Sequence, residues 1–260
     1  LFNSLYFIMK ITIIGELGRD VFVYGDSNRL SPEAPVPVFN PSYTEENPGM
    51  AGNVVENLKS MDSSISINFI HQHELITKTR YVEEKSNHMF LRVDEGEGNL
   101  TPLTLDDTYI DMIKESDGVI ISDYNKGFLT ENVMTEIAYH SRFIVVDTKK
   151  QISPDTASKF NFIKLNEHEY RRSNDDVKSL YADKLIITLG SKGAKYIDQI
   201  IPSTDPRETI DVSGAGDTFT SAFTLNYLKT KNVIDSITFA NEMAAIVVSK
   251  RGVSTPKKIY

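Results

Sequence analysis

A chain of 260 residues, with 40% hydrophobic and 25% charged side chains, has the composition of a soluble globular protein and the length for one large domain with a sizeable core. It contains no cysteine, which excludes a disulfide scaffold, a thiolate metal site and a cysteine nucleophile, and fits a reducing compartment such as the cytoplasm. The net charge of −8 argues against nucleic-acid partners and anionic membranes, and no apolar run approaches the ~18 residues of a membrane span.

The opening LFNSLYFIMK is apolar but lacks a positive n-region and a small-residue cleavage site, so it is not read as a signal peptide. Lys10–Gly15 is an apolar run ending in glycine, the pattern of a buried first strand in a parallel sheet. Leu30–Asn40 carries three prolines and reads as an extended edge or loop. Small residues from Gly49 lead into a helix that reaches Met61, and Ser64–Ile70 alternates like a strand. Thr77–Glu84 and Asn87–Val93, separated by Lys85-Ser86, predict a hairpin belonging to a small sheet apart from the main one.

From Leu103 the rhythm changes to alternating helices and strands. Helices are predicted over Leu105–Glu115, Thr130–His140, Glu167–Arg172 and Asp175–Ala182. Strands are predicted over Gly118–Ser122, Phe143–Asp147, Lys184–Thr188 and Ala194–Asp198. This alternation signals βαβ units and a parallel sheet covered by helices. Two long helices, Ala215–Lys229 and Val233–Lys250, close the chain. Asp123, Asp147, Asn166 and Gly190 fall just past strand ends, where ligands bind in open α/β sheets.

The strongest local feature is the string from Asp211 to Phe219, DVSGAGDTF. Gly214, Ala215 and Gly216 leave their amides open to a ligand at the start of a helix, a ready anion site. Asp217, in the first turn, is placed to take a proton from an attacking hydroxyl. On the bare G-x-G-D alone, an ordinary turn with an acid offsetting the helix dipole is the better explanation of the pattern.

The full string resembles the D-T-x-G-A-G-D signature of the PfkB/ribokinase family of carbohydrate kinases. Further likeness runs in family order through Gly15–Asp20, Tyr24-Gly25, Arg29–Pro37, Asn47–Asn53, Ser122–Gly127, Val146–Lys149 and Asn166–Glu169. Arg29–Pro37 is most similar to the heptose 7-phosphate kinase branch, which includes the kinase half of bifunctional heptose kinase/nucleotidyltransferases. The resemblance implies a ribokinase-like three-layer α/β/α sandwich over residues 1–260, with a mainly parallel central sheet and a small β lid from about 30–46 and 77–94. It also implies a cytoplasmic enzyme using ATP and Mg²⁺, in some members K⁺, acting on a sugar or sugar phosphate, and a homodimer formed through the lid.

By the same resemblance Asp217 is the general base, and Gly214, Ala215 and Gly216 form the anion hole. Asn166 and Glu169 match the N-x-x-E motif that organises Mg²⁺ through water, although the same spacing is that of a helix capping box. Asp20, Gly49 and Asn53 match the sugar side, and Arg80, Arg92 and Lys126 are basic candidates for a sugar phosphate. Thr188, Gly190, Ser191, Gly193 and Asn241 match the nucleotide side. Asp211 and Ser213 match a monovalent-cation site. Four departures stand out: Met50 where glycine is common, Glu16 for Asp, Ser213 for Thr, and a shortened stretch between Leu58 and Thr77. They leave open a kinase for another sugar or a nucleoside, or a non-catalytic sugar- or nucleotide-binding relative.

Overall fold

The computed structural model describes residues 8–98, 100–203, 210, 212–250 and 252–256. The first part of the chain runs β1 (Lys10–Gly15), β2 (Leu17–Asp26), β3 (Asn40–Met50), α1 (Ala51–Met61), β4 (Ser66–Ile70), β5 (Ile76–Glu83) and β6 (Met89–Glu95). It continues with α2 (Asp107–Glu115), β7 (Gly118–Asp123), α3 (Glu131–His140), β8 (Ile144–Thr148), α4 (Pro154–Ser158), β9 (Phe162–Asn166), α5 (Glu167–Arg172) and α6 (Asp175–Leu180). The last part comprises β10 (Leu185–Thr188), β11 (Ala194–Tyr196), β12 (Gln199–Ile201), α7 (Ala215–Thr230) and α8 (Val233–Val248).

Eight strands form the main sheet in the order β12-β11-β10-β9-β8-β7-β1-β4. From β10 to β4 every pairing is parallel, and the pairings of β11 with β10 and with β12 are antiparallel. Strands buried on both faces read as continuous apolar runs, which is why KITIIG and GVIISD are so legible. Ile11, Ile13, Val145 and Phe162 pack with α1, α7 and α8 on one face. Ile14, Ile121 and Ile163 pack with α2, α3, α4 and α6 on the other, so the architecture is the expected α/β/α sandwich. Asp106, Thr130 and Asn232 cap α2, α3 and α8 with side-chain acceptors.

A second sheet has four strands, in the order β3-β2-β5-β6. Its ten-residue β2 has no counterpart among the predicted elements, because Gly18, Arg19, Asp20 and Gly25 interrupt the apolar pattern. Only Glu16 separates β1 from β2, so the chain passes from one sheet to the other within a single residue. The prolines of Leu30–Asn40 keep that stretch out of the sheet, apart from one bridge between Leu30 and Pro37. Other elements also differ from the sequence expectation: Asn40–Met50 is a strand, Pro154–Ser158 a short helix and Phe162–Asn166 a central strand, and the strand from Ala194 stops at Tyr196 and turns back as β12. No described helix is long and apolar enough to cross a membrane.

Met50 adopts φ 57° and ψ −131° at the N-cap of α1, a backbone state that costs an L-residue about 1–3 kcal/mol and explains why glycine suits this position. The Met50 side chain is buried and lies against Gly18 on the neighbouring β2.

Candidate functional site

The carboxyl ends of β1, β7, β8 and β9 converge on the N-terminus of α7. Gly214 caps that helix in the left-handed region at φ 79° and offers no side-chain cap. Among the described residues, the amides of Gly216 and Asp217 donate to no protein acceptor, while the Ala215 amide reaches back to the Val212 carbonyl at 3.3 Å. The turn is therefore tied at one amide and open at the next two, where the helix dipole favours an anion.

Asp217 is 5% exposed, and both of its oxygens are held. Asn53 Nδ2 donates to Oδ2 at 2.9 Å, and the Tyr124 hydroxyl donates to Oδ1 at 2.7 Å. Asn57 Nδ2 donates to Asn53 Oδ1 at 3.0 Å, and the Thr218 hydroxyl donates to Asn57 Oδ1 at 2.8 Å, so the Asn53 amide is oriented by its own neighbours. Burial pushes the Asp217 carboxyl up to about 6 from 3.8. The hydrogen bonds from Asn53 and Tyr124 oppose that rise, Asp147 adds to it, and Lys164 opposes it. Such an acid is ionised at neutral pH and still basic enough to accept a proton.

Lys164 projects from β9 to the same place. Its ammonium donates to Asp147 Oδ2 at 2.9 Å, which also accepts from the Thr220 hydroxyl at 3.1 Å. A Cβ at Gly216 would lie 2.9 Å from Lys164 Nζ, so the glycine lets the ammonium meet the helix N-terminus. Burial pulls the Lys164 amine down, but Asp147, with Glu169 and Asp217, outweighs it and raises the amine above its ordinary value. Lys149 lies over the Tyr124 ring, 4.1 Å from its centroid, and burial lowers its amine.

At Gly214 a Cβ would lie 2.6 Å from Asn53 Nδ2. Gly214→Ala is expected to cost about 1–2 kcal/mol for the left-handed backbone alone, and to displace the amide that holds the Asp217 carboxylate. The check is a thermal melt beside a turnover assay: both fall together in the variant, whereas unchanged turnover would detach Asn53 from the chemistry.

A cavity of about 200 Å³ adjoins the anion turn. It is lined by Thr188, Gly190, Ser191, Gly193 and Asn241, the five residues assigned to the nucleotide side. Ala215, Gly216 and Phe219 form the wall shared with α7, and Ala244, Ala245 and Val248 supply an apolar wall from α8. Asn241 is buried rather than on a surface helix, and its amide donates to the Ile201 carbonyl at 2.9 Å.

On the four-stranded sheet Asp20 and Arg80 form an ion pair at 2.5 Å, with the guanidinium 5.0 Å from the Phe22 ring centroid. Arg80 is thus internally paired with Asp20. A Cβ at Gly49 would lie 2.5 Å from Asp20 Oδ2. Arg92, directly opposite Arg80 in the register, is half-exposed and pairs with Asp94. Lys126 pairs with Glu97, which also takes Lys78 at 2.6 Å.

Asn166 and Glu169 form the reciprocal capping box of α5: Glu169 N donates to Asn166 Oδ1 at 2.8 Å, and Asn166 N donates to Glu169 Oε2 at 2.7 Å. Among the described residues no group of three His, Cys, Asp or Glu could hold a metal directly. Magnesium needs fewer, since it keeps several waters and takes one or two carboxylates beside phosphate oxygens, so the oxygen-donor chemistry here suits it. Of the pair that the resemblance gives to a monovalent cation, Asp211 lies outside the described residues and Ser213 alone is a single ligand.

Tyr124 and Lys164 were given no role from sequence, while Asp147 was placed only past a strand end and Glu16 noted only as a departure. Tyr124 stood inside the Ser122–Gly127 string, and the one legible sign of Lys164 was a lysine inside the apolar run FIKLN.

Comparison with known proteins agrees with the geometry. Residues 61–259 match the model of the pfkB family carbohydrate kinases. A "Bifunctional protein HldE" from Helicobacter pylori strain HPAG1 is 32% identical over 295 aligned positions, covering 94% of this chain and 63% of the relative. A protein of the same name from Nitratiruptor is 31% identical, with 95% and 63% coverage. The chain thus spans less than two thirds of these relatives. The aligned length of 295 exceeds the 260 residues of the chain, so the relatives carry residues that it lacks within the shared span. A ribokinase from Thermotoga maritima superposes with a TM-score of 0.70 at 16% identity, over 95% of each chain. A nucleoside kinase from Methanocaldococcus jannaschii gives 0.68 at 18%, over 96% of this chain and 95% of that one. Family match and fold together make the chain a member of the pfkB family of carbohydrate kinases.

Proposed function

We propose that this chain transfers the γ-phosphoryl group of ATP to a hydroxyl of a sugar phosphate, with Asp217 as general base. The observation that carries the reading is the buried, partly basic Asp217 carboxylate beside open amides and the Lys164 ammonium, at the mouth of a cavity suited to a nucleotide. The acceptor hydroxyl gives its proton to Asp217 as its oxygen bonds to the γ-phosphorus. The bond from that phosphorus to the β-bridging oxygen breaks, and ADP leaves. Charge on the migrating group is met by the amides of Gly216 and Asp217 and by Lys164, and this positioning and charge stabilisation are most of what phosphoryl transfer requires.

Mg²⁺, held through water by Asn166 and Glu169, would neutralise the phosphates. Asp20, with Arg80 and Gly49, supplies polar contacts on the sugar side. The four-stranded sheet acts as a lid that excludes water from the reaction. The substrate we favour is D-glycero-D-manno-heptose 7-phosphate, phosphorylated at its anomeric hydroxyl, on the strength of the bifunctional HldE relatives and of Arg29–Pro37.

An ADP-release assay over a panel of heptose 7-phosphate, ribose, fructose and adenosine tests this. The expected result is turnover of the heptose phosphate well above the others. Preference for another acceptor would overturn the substrate, and no turnover with any, alongside calorimetric binding of ATP, would overturn the reaction.

A further inference from the structure

Tyr124 begins the loop that leaves β7. The loop is pinned along its backbone. Glu16 Oε2 accepts from the Tyr124 amide at 2.8 Å and Glu16 Oε1 from the Lys126 amide at 3.0 Å, while Asp123 Oδ1 accepts from the Asn125 amide at 3.1 Å. Asn125 sits in the left-handed region at φ 58°, so the loop is a tight turn closed over buried carboxylates. Glu16 is itself fully buried and is fixed by its place between the two sheets. From this anchored turn the Tyr124 hydroxyl reaches Asp217 Oδ1 at 2.7 Å.

We propose that Tyr124 is a positioning residue for the base: its hydroxyl pins one carboxylate oxygen of Asp217 while Asn53 pins the other, and Glu16 pins the loop that aims it. This rests on the reading of Asp217 as the base. With one lone pair on each oxygen already engaged, the carboxylate has a fixed plane, and the acceptor hydroxyl must approach along a remaining direction. Burial and the facing Asp217 raise the Tyr124 phenol well above its ordinary range, so it remains a neutral donor throughout the working pH. The charged groups facing this pair are Asp147 from β8, Lys149 just beyond it, Lys164 from β9 and Asp20 from β2. None of them donates to Asp217 Oδ1, so no other described group replaces the phenol when it is removed.

The test is Tyr124→Phe, read by carboxyl ¹³C NMR titration of Asp217 and by the pH profile of kcat/KM. Loss of a donor to the charged form raises the midpoint, by about one pH unit. The acidic limb should move to higher pH with it, and kcat should fall about tenfold with KM for ATP unchanged. A folded variant whose Asp217 midpoint and acidic limb match the wild type would overturn the proposal. If Tyr124→Phe does not fold, Glu16→Gln keeps the hydroxyl but loosens its loop; a raised midpoint supports the proposal and an unchanged one sinks it. The NMR titration needs no substrate, so a wild type inactive on every acceptor would refute the base reading and leave the Tyr124 contact separately decided.

Discussion

Asp217→Asn is expected to lower kcat at least a thousandfold, leave ATP affinity nearly unchanged, and raise the melting temperature at pH 8. The first effect follows from removing the only group placed to take the acceptor proton among the described residues at the anion turn, where general-base catalysis supplies ~10²–10⁴ and a misdirected hydroxyl loses more. The second follows from the cavity, whose lining by Thr188, Gly190, Ser191, Gly193 and Asn241 does not depend on the carboxylate. The third is a linkage argument. Burial holds the folded carboxyl at about 6 against 3.8 when exposed, so between those values the folded state keeps a proton that the unfolded state has lost. Stability therefore falls as pH rises from about 3.8 to about 6, and above that the protein carries the full cost of a buried charge, up to about 3 kcal/mol. Asparagine has no charge to desolvate. Its gain should be complete above pH 6 and vanish towards pH 4. Thermal melts of both proteins across that range check it, and a variant less stable at pH 8, or one that still turns over, would contradict the role. A site that stores instability in its base is a familiar trade of stability for activity.

The sequence made some parts of this site readable and hid others for identifiable reasons. The helix start at Gly214–Asp217 was legible because a left-handed cap, a close approach and an acid in the first turn all leave a compositional mark, and the full string around them resembles a family signature. β1 and β7, buried on both faces, were legible as apolar runs, whereas the equally buried β9 was hidden by Lys164 within FIKLN. β2 was not, since Asp20 shares one face with Phe22 and Tyr24 and so breaks the apolar pattern, and glycines interrupt it. Asn166 and Glu169 show the limit of spacing arguments, because a metal motif and a capping box demand the same residues three apart and the structure displays the second. Tyr124 was legible only as part of the Ser122–Gly127 string; its contact with Asp217 was not, as it spans 93 positions and depends on Glu16 holding the Tyr124–Lys126 turn. Asn241 was carried by the resemblance alone, since nothing in the sequence of α8 shows that this helix covers the cavity.

Lys164→Met is expected to damage both turnover and stability, and the two losses can be separated. Lys164 is 6% exposed, and its ammonium is the one cation that touches Asp147 among the described residues. Removing one partner of a buried pair leaves the other uncompensated, which costs about 3–5 kcal/mol. The Thr220 hydroxyl stays on Asp147 Oδ2 and places the expected loss at the lower end of that range. Turnover should fall about a hundredfold as well, because the ammonium beside Gly216 meets charge that develops on the transferring group. The double variant Lys164→Met with Asp147→Asn removes the orphaned carboxylate and keeps an oxygen for Thr220. It should recover most of the lost stability and none of the lost turnover. Denaturant melts and single-turnover rates on the wild type, the single and the double variant decide the matter. If the double variant regained activity along with stability, Lys164 would be only the counter-ion of Asp147, and the charge that stabilises the migrating phosphoryl group would come from the amides of α7 alone.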